Sequence, residues 1–75
     1  AQYGDFKKRL KIQYPHLTHK DLTHCCLIRM NLSTEETARY FNINPTSVQK
    51  KRVRLKKKLN LSKKADLTEF LFLFY

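Results

Sequence analysis

Residues 44–59 read NPTSVQKKRVRLKKKL, and this stretch decides the fold. Asn44 suits an N-cap, whose side chain accepts a free backbone N–H. Pro45 suits the first helical position because it has no N–H to leave unpaired. Val48, Leu55 and Leu59 recur at i, i+7 and i+11, one stripe of a helix with 3.6 residues per turn. Thr46, Gln49, Lys50, Val53 and Lys57 fall on the opposite face, with Arg54 on its flank. That face combines cations, hydrogen-bond donors and a small apolar group, the chemistry that meets base edges in a DNA major groove.

The charge distribution points the same way. The 75 residues hold 16 basic and 6 acidic side chains, a net charge of +10. No acid lies between Glu36 and Asp66, an interval with ten Lys and Arg residues. Charges that repel one another along a helix gain nothing unless a partner neutralises them, and a patch this dense favours a polyanion. One small domain is expected at this length, with a core that is marginal without help. The only cysteines, Cys25 and Cys26, are adjacent, so no secreted disulfide framework is implied and a reducing cytoplasm fits. No signal peptide is visible, and no apolar run reaches the roughly 18 residues of a membrane span. The chain does not begin with Met and is expected to be a piece of a larger protein.

Outward from residues 44–59, four further elements are expected. Asp5 starts a short helix whose stripe is Phe6, Leu10 and Tyr14, and Pro15 ends it at Tyr14. Residues 1–15 read as an appended helix or the end of an interdomain linker, and residues 16–75 as the domain proper. Thr18 caps the next helix with Asp21 three residues on. Leu22, Cys25, Ile28 and Leu32 point inward, and Asn31 takes the left-handed position that ends the helix. Ser33 and Glu36 form a capping box for residues 34–41, with Ala38 and Phe41 inward. Residues 42–44 then make a sharp corner, so that helix, tight turn and basic helix follow in order. A last helix is expected from about Lys63 to Leu73. Leu67, Phe70, Leu71 and Phe74 share one face, and Phe72, Leu73 and Tyr75 spread apolar surface beyond it, toward a partner.

Four pieces at regular spacing carry a family resemblance. They are Leu17-Thr18-His19-Lys20-Asp21, Asn31 to Ala38, Phe41 to Val48, and Lys57-Lys58-Leu59-Asn60-Leu61. They follow without a gap the pattern LT-x-R/K-E, G-L-S-x-K-E-I-A, L-x-I-S-x-x-T-V, K-L-x-V/L. Over about residues 17–74 the chain resembles the DNA-binding domain of LuxR/FixJ-type regulators, nearest to those attached to TPR-containing or hybrid sensor proteins. Asn31 stands for the usual Gly, Asp21 for Glu, Thr37 for an apolar residue, and Lys51 where many members carry His. The resemblance implies an all-α, four-helix helix-turn-helix domain, here with a short extra N-terminal helix. It implies a bacterial, cytoplasmic transcription regulator whose third helix enters the major groove. It also implies a homodimer through the last helix, carried here onto Leu67, Phe70, Leu71, Phe72 and Phe74.

Specific roles follow from side-chain chemistry. Gln49 can bond bidentately to adenine, Lys50 can reach guanine, Val53 can pack on a thymine methyl, and Arg54 can reach a base or a phosphate. Thr46, Ser47, Lys57 and Lys58 are phosphate candidates, joined by Lys20, Ser33 and Thr34 at the N-termini of other helices. Arg52 lies toward the Val48–Leu59 stripe and is expected to be partly buried against Asp21 or Glu36. His16, His19, His24, Cys25 and Cys26 lack zinc-finger spacing, so neither a metal nor a cofactor is expected. No nucleophile–base–orienter set suggests an enzyme. The partner reading is double-stranded DNA, without a membrane. The competing reading is a protein-interaction module whose Phe-rich last helix docks a partner, an RNA polymerase subunit being one choice. In that reading the basic face serves solubility.

Overall fold

The computed structural model describes the backbone of residues 2–74 and the side chains of residues 5–74. Five helices and no strand occur among them: α1 (Gln2–Gln13), α2 (His19–Arg29), α3 (Thr34–Phe41), α4 (Pro45–Lys58) and α5 (Leu67–Leu73). α1 packs on α2, α2 on α5, and α3 on α4. No helix among the described residues is long and apolar enough to cross a membrane.

Three N-termini are fixed by their own side chains. Thr18 Oγ1 accepts from the Asp21 N–H at 3.1 Å while Asp21 accepts from the Thr18 N–H at 2.9 Å. Ser33 and Glu36 repeat this reciprocal pair at 3.1 and 2.9 Å. Asp66 Oδ1 accepts from the Glu69 N–H at 3.2 Å, so the last helix starts at Leu67 and not at Lys63 as its apolar pattern suggested. Residues 63–65 form a turn instead, closed by the Ala65 N–H on the Ser62 carbonyl. A carboxylate satisfies an orphan helix N–H better than it sits inside a helix, and here that preference sets the boundary. α1 departs in the other direction: it begins by Gln2, with Asp5 in its first turn rather than ahead of it.

Asparagine ends three of the helices. Asn31, Asn42 and Asn60 adopt φ of 64°, 57° and 59°. Beside each, the following apolar residue donates back into the helix: Leu32 to Leu27, Ile43 to Ala38, and Leu61 to Lys56. These are Schellman turns, which satisfy the last carbonyls and fold an apolar side chain under the helix end. Only the first was expected from the sequence, although the Asn-Leu, Asn-Ile and Asn-Leu dipeptides carry the same signal.

One core serves all of α1, α2, α4 and α5. Phe6, Leu10, Leu17, Leu22, Cys25, Ile28, Leu55, Leu59, Leu67 and Leu71 form a single buried cluster. α1 contributes Phe6 and Leu10 to this cluster. Burial, followed by the neighbouring Cys26 and Asp21, pushes the Cys25 thiol up to about 12, which keeps it a neutral core side chain. Thr37 is fully buried on α3, and its hydroxyl donates to the Ser33 carbonyl at 2.9 Å. That bond lets a polar residue occupy an inward position.

Leu67 and Leu71 are 6% and 0% exposed. They are spent on the domain's own core, which corrects their assignment to a dimer surface. Phe70 and Phe74 pack partly against that core. Phe72 and Leu73, at 42% and 69% exposure, carry the free apolar surface of α5. The contribution expected of Tyr75 lies outside the described residues.

Candidate nucleic-acid interface

α4 divides as its periodicity requires. Val48 and Leu55 are buried on the inner side, and Leu59 continues the stripe just past the helix end. Gln49, Lys50, Val53, Arg54 and Lys57 are exposed on the outer side, with Thr46 exposed at the start. Val53 is 55% exposed, an apolar group left standing among cations. Three of the base-contact candidates are thus one turn or less apart on an open helical face, and Arg54 flanks them.

The start of α4 is electrostatically open. Asn44 has the extended backbone of an N-cap, but its side chain makes no capping bond, contrary to expectation. The first turn holds no acid. Pro45 has no N–H and the Ser47 N–H donates to the Asn44 carbonyl at 3.0 Å, but no carboxylate offsets the positive end of the helix dipole, and exposed Thr46 and half-buried Ser47 stand beside it. An anion at this end would meet the Thr46 and Ser47 hydroxyls and no opposing charge.

The N-termini of α2 and α3 are less available. The Ser33 N–H is spent on Glu36, its hydroxyl accepts the Glu36 N–H, and Glu35 and Glu36 put two carboxylates in the same turn. Bonds from the Ser33 backbone and side chain hold the Glu36 carboxyl below its ordinary value. The position is ill suited to a phosphate, which weakens the assignment of Ser33 and of half-buried Thr34. Lys20 is exposed in the first turn of α2. Lys58 differs from Lys57: its Nζ lies 2.6 Å from Asp21 Oδ2 in an ion pair, so it is committed to the fold where a phosphate contact was expected.

Several side chains hold α4 in place. His16 Nε2 lies 2.8 Å from the Lys58 carbonyl, joining the α1–α2 turn to the end of α4. Lys56 Nζ donates to the Lys63 carbonyl at 2.8 Å. Lys51 Nζ lies 5.3 Å from the centroid of the Phe41 ring, and His24 meets that ring edge-on at 5.8 Å. None of these positioning contacts was legible in the sequence, because each joins residues remote from one another in the helical pattern.

Arg52 is half-buried, as expected, but its expected partners are taken. Asp21 pairs with Lys58 and Glu36 with Ser33. Its Nε is buried without a hydrogen-bond partner among the described residues, as is His24 Nε2. Burial first, and then the Arg52 and Lys51 cations, drives the His24 imidazole down to about 4 despite Asp21. His24 is thus a neutral imidazole edge-on to Phe41 and within electrostatic reach of Arg52 and Lys51 on α4. Set against models of known protein families, curated protein sequences and solved structures, the chain matches none of them.

Proposed function

We propose that this chain is a sequence-specific double-stranded-DNA-binding domain in which α3, the turn at residues 42–44 and α4 act as a helix-turn-helix. In this reading it is the output domain of a bacterial, cytoplasmic transcription regulator of the LuxR/FixJ type. α4 enters the major groove, Gln49, Lys50, Val53 and Arg54 face base edges, and Lys57, Lys20, Thr46 and Ser47 face phosphates. The supporting observation is the outer face of α4, exposed from Thr46 to Lys57 and free of acid. A cationic helical face that makes no ion pair among the described residues is suited to an external polyanion.

Selection of duplexes from a random pool tests the proposal, followed by titration of the winner at several salt concentrations. An enriched motif bound more tightly than bulk duplex supports it. Equal, salt-sensitive binding to every duplex would remove it and leave a basic bundle without specificity.

The exposed Phe72 and Leu73 support a second role, a protein contact through α5. A homodimer is the form we propose, since two domains on a two-fold site multiply the modest affinity of one. Docking of an RNA polymerase subunit is the competing use of the same surface.

A further inference from the structure

A cleft of about 610 Å³ runs between the end of α1 and α5, walled by Gln13, Asp66, Glu69, Phe70, Leu73 and Phe74 among others. Both charged residues on its wall are acids, although the chain carries a net charge of +10. Its apolar wall is aromatic, with Phe70 and Phe74 in ring contact at 6.0 Å. The matching surface lies on α1 itself. Ile12 is 78% exposed. Lys8, one turn before it, and Arg9, three residues before it, are exposed on the same side, as i, i+3 and i+4 spacing requires. Asp5 lies a further turn away. Lys11 is not part of this crest, because its Nζ donates to the Pro15 and Leu17 carbonyls.

We infer that the α1–α5 cleft receives the α1 crest of a second copy of this chain, with Ile12 against the aromatic wall and Lys8 and Arg9 facing Asp66 and Glu69. α1 lines the cleft through Gln13 and also carries the crest, so in this arrangement a two-fold axis beside Gln13 seats both crests at once. The contact is small and charge-guided, which gives a weak dimer that DNA or a tethered partner domain would reinforce. This inference rests on the homodimer reading above and specifies which element of the second copy meets α5.

Sedimentation equilibrium of the 75-residue chain tests it, with circular dichroism to confirm that each variant folds. The wild type dimerises reversibly, and Ile12→Glu is monomeric. Arg9→Glu and Glu69→Lys each weaken the dimer about tenfold or more, and mixing these two variants restores association because both clefts then hold a complementary pair, one native and one charge-reversed. Unchanged association in Ile12→Glu and Arg9→Glu, with loss in Phe72→Glu, overturns the inference while sparing a dimer through the outer face of α5. A wild type that stays monomeric throughout overturns both readings and gives the cleft to another protein.

Discussion

The Lys58 ammonium donates to the Asp21 carboxylate at 2.6 Å, so the last turn of α4 is fastened to the first turn of α2. The same carboxylate oxygen caps α2 by accepting the Thr18 N–H at 2.9 Å. One acid therefore starts one helix and orients another, and the orientation of α4 is what any reading by its outer face depends on.

Two consequences separate by substitution. Asp21→Ala loses the carboxylate half of the capping box and the ion pair, while the Thr18 hydroxyl still accepts the backbone N–H of residue 21, and should cost about 1–2 kcal/mol. Lys58→Met loses a partly exposed pair only, and should cost under about 1 kcal/mol. In a domain of this size each kcal/mol lowers Tm by roughly 4–8 °C, which thermal denaturation resolves. Burial raises the Asp21 carboxyl, but hydrogen bonds from Lys58 and Thr18 outweigh it and leave the group below its ordinary value of 3.8. Its contribution is therefore complete above that value and fades as the pH falls beneath it.

His24 sets a different pH window. Its imidazole is 3% exposed and titrates at about 4 against an ordinary 6.5. The unfolded chain takes up this proton first, so stability declines as the pH falls from about 6.5 to 4, by about 3 kcal/mol in all. His24→Leu should flatten that part of the stability profile while leaving the Asp21 part below it. An unchanged profile in this variant would show that the decline has another source.

Arg52 and His24 are coupled through charge. Arg52→Met keeps the apolar stem of the side chain but removes a buried donor without a partner. Its stability should be equal to that of the parent or up to about 1 kcal/mol higher. The His24 titration followed by NMR should move upward, because the larger of the two cationic influences opposing its protonation is gone while Lys51 remains.

The outer face of α4 divides into readers and anchors. Gln49→Ala and Lys50→Ala should each relax the preferred duplex at one base position, with a loss of about 1–3 kcal/mol on the selected site. Lys57→Ala should weaken binding to all duplexes alike and reduce the salt slope by about one. Lys58→Met should alter the slope less, since its charge already faces Asp21. Competition titrations at three or more salt concentrations distinguish these patterns.

Asn42 holds the corner between α3 and α4 at φ 57°. Asn42→Ala should cost about 1 kcal/mol, because a Cβ without a compensating polar side chain disfavours the left-handed region. Asn42→Gly should leave stability nearly unchanged, and chemical denaturation would separate the two.

Local order was written in the sequence wherever one residue and its near neighbours settle it. The capping boxes Thr18–Asp21 and Ser33–Glu36, the end of α2 at Asn31 and the Val48–Leu55–Leu59 stripe all depend on spacings of a few residues or on one helical period. The candidate face of α4 was legible for the same reason, since a helix with one apolar stripe must turn its other side to water. Tertiary structure decided what spacing leaves open. It gave Asp21 to Lys58 rather than to Arg52, left Arg52 Nε and His24 Nε2 buried without partners among the described residues, and turned Leu67 and Leu71 into the core while Phe72 and Leu73 stayed outside. A nearly all-apolar helix such as α5 has no preferred face of its own, and competition among several cations for one carboxylate is settled by where the helices come to rest.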